Sequence, residues 1–224
     1  MRRSKTTSPK NNDLATLTEL AYEKLEEMIA TLELAPGTLL SEVTLSTQLG
    51  IGRTPIREAM QRLARERVLQ ILPRRGCIVA SSRPEDELSL IEARRPLEIL
   101  VVRNAATRAD AKERQAFKKI ALAMSVALQS DDFTSFARLD AQFNQLCLDA
   151  SRNPIAASMM QLITTLNRRY WFMHHGRTLP ADGVKRHIDV ANAIAKGDAD
   201  SAARAAERLL DYIESWPRRA LGRS

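Results

Sequence analysis

Residues 52–68, GRTPIREAMQRLARERV, predict a helix with one apolar and one basic face. Thr54 can cap this helix, and Pro55 suits its first position because the missing N–H would lack an intrahelical partner there. Apolar residues recur at helical spacing and indicate a buried stripe of Ile56, Met60 and Leu63. The polar residues fall largely off that stripe: Arg53, Arg57, Gln61, Arg62 and Arg65.

A basic helix of this kind can insert its N-terminal end into the major groove of DNA. Arginine pairs bidentately with guanine, while Thr54 or Gln61 could meet other base edges or phosphates. The alternative is a cationic helix that simply faces solvent, since basic surface helices are common. The flanking sequence favours the first interpretation.

The residues before this helix predict two further helices and a tight turn. Residues 17–32 are amphipathic, and the run APGT at 35–38 ends that helix. Ser41 is a candidate N-cap for a short second helix, residues 41–50. That helix is expected to turn three apolar residues inward, Val43, Leu45 and Leu49. Residues 50–52, GIG, give the tight turn that a helix-turn-helix requires.

The residues after Val68 predict a β-hairpin. Two short β-like runs, at 69–72 and 77–80, flank the basic turn PRRG at 73–76. In a winged helix this hairpin is the wing. Its two arginines, Arg74 and Arg75, would face phosphate or a minor groove.

These motifs, in this order over residues 15–80, resemble the winged-helix domain of the GntR family of bacterial transcription regulators. The matching elements are the PG turn, the stretch SE-x-x-LS-x-x-LG, the run RTP-x-REA-x-x-RL and the late glycine of the wing. Val43 stands where some relatives carry a DNA-contacting arginine, so their base preference is not expected here. Together, the basic helix and the resemblance predict DNA contacts at Arg53, Thr54, Pro55, Arg57, Gln61, Arg62, Arg74, Arg75 and Gly76.

The composition is compatible with a polyanionic partner. The formal net charge is +7 and the pI is about 9.8. Cys77 and Cys147 lie far apart and are expected to be free thiols rather than a disulfide or a metal pair. No apolar run reaches transmembrane length and the N-terminus lacks a signal-like apolar segment, so we expect a cytoplasmic protein without a membrane partner.

The chain divides by composition into four segments. Residues 1–12 are a basic tail that is expected to be disordered, although an arm that tracks DNA is the alternative. Residues 13–80 form the winged helix and residues 81–84 a hinge. Residues 85–217 carry only helical periodicity and predict an antiparallel bundle of six to seven helices, so the whole fold is mainly α. The six predicted helices are 84–108, 110–129, one from 132 that stops at 151–154, 154–174, 184–195 and 198–216.

The bundle sequence resembles, more loosely, the FCD ligand-binding domain of the FadR subfamily. The resemblance covers roughly residues 84–215 and rests on Arg94-x-x-Leu97-Glu98, Asp140-x-x-Phe143-Asn144, and His187 with Ala193-Ile194-x-x-Gly197-Asp198. It implies a domain that dimerises and binds a small molecule, most often an organic acid.

Asp140 and Asn144 are four residues apart and share one helix face. Phe143 lies beside them, so this face is expected to turn inward. A buried aspartate needs a cation, a metal or hydrogen bonds, and His187 could meet it from another helix. By resemblance, a divalent metal (Zn, Ni or Mn) would bind Asp140, Asn144 and His187, with Leu209 at the fourth ligand position. Two good ligands are too few for a tight site, and His174 or His175 could substitute only from a loop mouth. A metal-free or weakly metal-binding pocket is therefore favoured, in which Asp140, Asn144 and His187 hydrogen-bond a ligand or each other.

Arg94 would point into this pocket by the same resemblance, where its guanidinium suits a carboxylate. Its alternative role is an ion pair with Glu98. The predicted effector-binding residues are Arg94, Asp140, Asn144, Arg169 and His187.

The sequence as a whole predicts a ligand-responsive transcription regulator, a repressor that reads a palindromic DNA operator as a homodimer. An enzyme is disfavoured because the chain has no nucleophile elbow, no phosphate-binding glycine loop and no HExxH motif. An architectural DNA binder without an effector is a second alternative. Activation instead of repression is a third, because it depends on where the operator lies.

Overall fold

The computed structural model describes residues 11–73, 76–175 and 179–222, apart from the side chains of residues 11–15, 172, 174 and 175. The chain forms two compact units, one ending at Ser81 and the other beginning at Ser82. Among the described helices, none combines the length and the apolar composition that crossing a bilayer requires.

The first unit is a winged helix. Its elements are α1 (Asn11–Ala30), β1 (Leu39–Leu40), α2 (Glu42–Leu49), α3 (Arg53–Arg65), β2 (Leu69–Leu72) and β3 (Gly76–Val79). The strands pair antiparallel in the order β1-β3-β2, with Leu69 opposite Val79 at one end of the hairpin. The short strand β1, which the sequence pattern did not predict, pairs with β3 through Leu39 opposite Ile78.

The core of this unit lies between α1 and α3, which pack against each other. Leu25 and Ile29 from α1, and Ile56 and Leu63 from α3, are fully buried. Each such side chain contributes roughly 1.5–3 kcal/mol to folding by leaving water. Gly50 ends α2 with φ +66, the left-handed conformation that suits the tight turn before α3.

Two local predictions in this unit are wrong. Gly52, not Thr54, is the N-cap of α3, so the helix begins at Arg53 and Pro55 lies within its first turn. Val43 is 54% exposed instead of turning inward. Leu45 is the buried residue of α2, so it makes the contact between this helix and the core. The exposed position of Val43 fits the place where GntR-like sequences carry a polar contact residue.

The second unit is a bundle of the six described helices α4 (Pro84–Arg108), α5 (Ala111–Gln129), α6 (Phe133–Ala150), α7 (Pro154–His175), α8 (Ala181–Lys196) and α9 (Ala199–Ala220). The mainly α fold with a small antiparallel sheet is therefore confirmed. Helix α4 packs on α9, and α5 on α8. Alanines fill much of the buried surface of α8 and α9, and small side chains let these two neighbouring helices approach closely.

Capping explains where several of these helices begin and end. Asp110 accepts from the Glu113 backbone N–H while the Glu113 side chain accepts from the Asp110 N–H, a capping box that opens α5. Gly197 ends α8 at φ +77, the left-handed conformation that favours glycine, and a Cβ there would require the flexible Arg114 guanidinium to shift.

Candidate functional site

The N-terminal half of α3 presents a polar surface to solvent. Arg53, Thr54, Arg57 and Gln61 are all exposed, while Ile56 between them is buried. Gly52, the N-cap of α3, has no side chain that could accept from the first backbone N–H groups of the helix. The partial positive charge of the helix N-terminus therefore adds to that of the arginines. This surface is suited to an anionic, groove-bearing partner.

Arg57 is held in a fixed direction by the neighbouring helix α2. Its Nε donates to Oε1 of Glu42 at 2.9 Å and its Nη2 to Oε2 at 2.8 Å, a two-bond fork. The hydrogen bond from Arg57 lowers the pKa of Glu42 below its ordinary value. Glu42 therefore stays ionised at neutral pH and positions the guanidinium beside the exposed face of α3.

Two residues of the predicted DNA-binding set lie off the exposed polar face of α3. Pro55 is buried and has no surface to offer. Arg62 turns away towards α1: its guanidinium lies 3.6 Å from the ring centroid of Tyr22 and donates to Glu19 at 2.9 Å and Glu66 at 3.2 Å. Arg62 therefore joins α1 to α3, a role that follows from which face of α3 packs on α1.

The wing can be compared with its prediction only in part. Arg74 and Arg75 lie outside the described residues, as does most of the basic tail. Gly76 is exposed at the start of β3 with φ +98, and a Cβ there would approach the Leu40 carbonyl oxygen to 3.1 Å. Gly76 is thus required by backbone geometry, whatever its contact with DNA.

The second unit contains a cavity whose walls come from five helices. Its empty space is about 820 Å³ when the open solvent at its mouth is included, and the centre of a water molecule can reach about 80 Å³ of it. Every helix of the unit except α5 contributes lining residues, which include Arg94, Phe136, Asp140, Asn144, Asn167, Arg168, Trp171, His187, Leu209 and Trp216. The spacing of the lining residues on α6, α7 and α9 is three to four residues, so each helix presents a single stripe.

An ion pair between Asp140 and His187 forms the polar floor of this cavity. His187 Nε2 lies 3.2 Å from Asp140 Oδ1, and His187 Nδ1 lies 2.8 Å from the Gly183 carbonyl oxygen. The Gly183 carbonyl only accepts, so Nδ1 carries a proton; Nε2 and Asp140 Oδ1 lie within ion-pair distance, although their geometry falls short of a hydrogen bond. Burial lowers the pKa of His187, but pairing with Asp140 outweighs it and the net shift is upward. Burial raises the pKa of Asp140, and pairing with His187 reverses that to a net decrease.

The residues present do not fit a tight transition-metal site. Asp140, Asn144, His187 and Leu209 do line one cavity, as the FCD resemblance implied. However, a protonated Nε2 that faces a carboxylate is not a metal ligand, an amide oxygen is a weak one, and leucine has no donor atom. The described side chains contain no group of three or more His, Cys, Asp or Glu that could hold a metal ion.

Arg94 belongs to a buried chain of hydrogen bonds that runs from the cavity to the start of α4. Its Nε donates to Glu98 Oε2 at 2.9 Å, its Nη1 donates to Asn167 Oδ1, and Asn167 Nδ2 donates to Glu87 Oε1. Burial raises the pKa of Glu87 to about 7, although Asn167 and the charges of Arg94 and Arg169 act in the opposite direction. Arg94 thus both lines the cavity and pairs with Glu98, the two roles between which its sequence left a choice.

One predicted effector residue is replaced by its neighbour. Arg169 is 4% exposed and lies close to Glu87, outside the cavity lining, whereas Arg168 is part of it. Adjacent residues on a helix point about 100° apart, so a shift of one position exchanges the two faces.

The sequence interpretation missed the aromatic wall of the cavity. Tyr212 and Trp216 lie one turn apart on α9, with ring centroids 5.1 Å apart, and Trp171 lines the α7 side. The three-to-four spacing of Leu209, Tyr212 and Trp216 was the available signal. That spacing is equally typical of core residues, so it could not by itself reveal a cavity.

Comparison with known families matches both units. Residues 17–79 match the model of the bacterial regulatory proteins of the gntR family, and residues 89–212 match the FCD domain. The chain is 27% identical over 193 residues to the HTH-type transcriptional repressor RspR of Escherichia coli K12, covering 86% of this chain and 85% of that protein. It is 29% identical over 237 residues to the HTH-type transcriptional repressor NanR of Klebsiella aerogenes, covering 93% of this chain and 87% of that protein.

Solved structures share the same fold. Escherichia coli McbR/YncC is 18% identical, with a TM-score of 0.79 over 92% of this chain and 98% of the other. A GntR regulator from Rhodococcus sp. RHA1 is 22% identical, with a TM-score of 0.71 over 92% of this chain and 99% of the other. At these identities the likeness concerns the fold alone.

Proposed function

Because this chain belongs to the GntR family of bacterial regulatory proteins and carries an FCD domain after its winged helix, we propose that it is a transcriptional repressor switched by a small carboxylate. Family membership makes it a DNA-binding transcriptional regulator rather than an enzyme. Repression is favoured because the relatives RspR and NanR are both named transcriptional repressors. Its site of action is the cytoplasm, where the chromosome lies.

The proposed DNA contacts are Arg53, Thr54, Arg57 and Gln61 of α3, together with the wing arginines. All four helix residues are exposed, and Arg53, Thr54 and Arg57 lie in the N-terminal half of α3, the part of a recognition helix that reads base edges. Glu42 supports this role by holding Arg57 in a fork geometry. On binding, a guanine or a phosphate would replace the carboxylate as the partner of Arg57.

The single observation that carries the ligand response is the cavity in the FCD unit. Its lining combines Arg94, Arg168 and the Asp140–His187 pair with apolar walls, which suits a small organic acid. The effector must bind one arrangement of the DNA-binding units more tightly than another, since equal affinity would shift nothing. Arg94 would connect the effector to Glu87 near the start of α4, which follows the hinge in sequence.

A homodimer is proposed because a palindromic operator requires two-fold symmetry. Large apolar side chains on the FCD unit are exposed and would be covered in a dimer, among them Leu122 and Val126, one turn apart on α5. Light scattering on the purified protein would measure its mass. Substitution of Leu122 by Asp should shift the mass to that of the monomer if Leu122 and Val126 lie in the dimer interface.

The first experiment is fluorescence anisotropy with labelled DNA from upstream of the protein's own gene. It is run at fixed salt against excess random DNA, because phosphate contacts alone make affinity salt-dependent. Saturable binding that survives the competitor, and that a carboxylate releases, supports a ligand-responsive repressor. Specific binding that no organic acid alters would favour an architectural protein. Binding that random DNA removes would contradict sequence-specific recognition of this DNA.

A further inference from the structure

The cavity of the FCD unit holds an unusual share of the chain's aromatic residues. The whole chain has ten of them, 4% of its residues, including two tryptophans. Both tryptophans and three other aromatic residues line this single cavity: Phe136, Tyr170, Trp171, Tyr212 and Trp216. Phe117 and Phe143 lie in the closed core, and Phe136 borders both that core and the cavity. Five rings around an open space point to recognition of what enters it.

The aromatic rings are held in place before any ligand binds. Trp171 is stacked on Phe133, with centroids 5.3 Å apart and planes 8° from parallel. Tyr212 and Trp216 form an edge-to-face pair with planes at 70°, and Phe136 packs edge-on against His187 at 5.7 Å. These contacts restrict the rings to defined orientations, so the cavity offers fixed faces and edges. A planar aromatic ring is the group that packs most favourably against such a set.

The charged residues of the lining suit one negative charge. Arg94, Arg168 and the protonated His187 are cationic, Asp140 is anionic, and Glu98 pairs with Arg94 from outside the lining. A single carboxylate can be accommodated by the cationic groups. A dicarboxylate or tricarboxylate would bring further negative charge close to the Asp140 carboxylate, and like charges in a buried site repel each other.

We propose that the effector of this protein is an aromatic monocarboxylate: a planar ring that packs against Trp171, Tyr212 and Trp216, with one carboxylate directed to Arg94 and Arg168. This inference rests on the proposed function and specifies the chemical class that its cavity takes. The centre of a water molecule can reach only about 80 Å³ of the cavity, so the site limits a ligand to one ring with a short side chain. Sugar acids and aliphatic hydroxy acids would leave the aromatic wall facing polar hydroxyl groups.

Both tryptophans of the chain line the cavity, so the intrinsic tryptophan fluorescence of the protein reports on ligand binding there. The intact protein is titrated with phenylacetate, cyclohexylacetate, 2-phenylethanol and citrate, and calorimetry provides an independent Kd. Cyclohexylacetate keeps the carboxylate and the ring size but has no π-system, and should bind about 2- to 10-fold more weakly than phenylacetate. The uncharged 2-phenylethanol should bind about 10-fold or more weakly.

Variants assign the effect to the named residues. Substitution of Tyr212 by Leu should weaken phenylacetate binding about 2- to 10-fold and remove its preference over cyclohexylacetate, whereas Tyr212→Phe should preserve both. Arg168→Gln should weaken the acid but not 2-phenylethanol. Arg103→Gln serves as the matched control, since Arg103 pairs with Asp200 on an exposed surface away from the cavity lining. Circular dichroism establishes that each variant is folded.

The inference would be overturned by equal affinity for phenylacetate and cyclohexylacetate, by tighter binding of citrate, or by no binding of phenylacetate, benzoate or 3-phenylpropionate at millimolar concentration. Anisotropy with the operator, run in parallel, separates this inference from the proposed function. Release of the operator by a non-aromatic acid would overturn the inference of an aromatic effector but would still support the proposed function as a ligand-responsive regulator. Binding of phenylacetate by a protein that does not select its operator would do the reverse.

Discussion

Replacing Glu87 by Gln should stabilise the protein at alkaline pH, although it removes a buried acid from a hydrogen-bonded chain. Glu87 is 1% exposed, its Oε1 accepts from Asn167, and its Oε2 has no hydrogen-bond partner among the described residues. Burial raises the pKa of this carboxyl group from 4.5 to about 7. The charged form is therefore poorly accommodated in the folded protein, and glutamine removes that charge without losing the acceptor that faces Asn167.

The size of the effect follows from proton linkage. Below pH 4.5 the carboxyl group is protonated in both the folded and the unfolded chain and costs nothing. As the pH rises to about 7, the unfolded chain ionises first, so the stability associated with Glu87 falls by roughly 3 kcal/mol and then stays constant. The new amide N–H₂ of glutamine also needs an acceptor, which subtracts about 1 kcal/mol. We expect Glu87→Gln to gain about 2 kcal/mol at pH 8 and nothing, or a small loss, at pH 5.

Urea unfolding followed by tryptophan fluorescence measures this effect in the correct unit, because Trp171 and Trp216 both lie after Ser82. Glu85→Gln is the matched control: the residue is exposed on the same turn of α4, and its substitution should change the free energy of unfolding little at either pH. A Glu87→Gln protein that is less stable than wild type at pH 8 would refute the reasoning. It would mean that an ionised Glu87 stabilises the fold through Arg94 and Arg169.

Three further predictions concern the two sites. Arg57→Ala should weaken operator binding about 5- to 150-fold and random DNA much less, as measured by anisotropy; equal losses on both DNAs would assign Arg57 to phosphates. His187→Gln should lower the free energy of unfolding by about 3 kcal/mol, because Asp140 stays buried without its partner. That loss should be largest between about pH 4 and 6.5 and shrink as the pH rises through the upshifted pKa of His187; a loss that does not vary with pH would contradict the ion pair. The double substitution Asn144→His and Leu209→His should bind Zn²⁺ at least about 100-fold more tightly than wild type in calorimetric titration, because it adds two imidazole ligands to a cavity that has too few metal ligands. Unchanged affinity would show that the side chains at these positions do not converge on one ion.

The sequence by itself determined the order of the helices, the hairpin and the class of the fold, but not the two-residue strand β1. Apolar residues at helical spacing, with stops at Pro154 and Gly197, fix where the helices of the second unit begin and end, because those signals act within a few residues of themselves. The same holds for the turn at Gly50 and for the hairpin that follows Val68. Motif order over these local elements was sufficient to indicate the GntR resemblance.

The tertiary structure alone decided which polar residues serve which purpose. Arg57 and Arg62 look equivalent in the sequence, but only Arg62 lies on the face of α3 that packs on α1, where Tyr22 and Glu66 engage it. Arg168 and Arg169 are likewise separated by helix rotation, one towards the cavity and the other towards Glu87.

The cavity itself depends on contacts between residues distant in sequence. Asp140 and His187 are 47 positions apart, and only the packing of α6 near α8 brings them to 3.2 Å. The aromatic wall joins Phe136 on α6, Trp171 on α7 and Trp216 on α9. Periodicity identifies the inward stripe of each helix but not whether that stripe meets a neighbour or an empty space. Local sequence signals do not encode whether a stripe meets a neighbouring helix or an empty space. This difference decides the burial and the pKa shifts of the residues in the stripe, and with them the class of ligand that we propose.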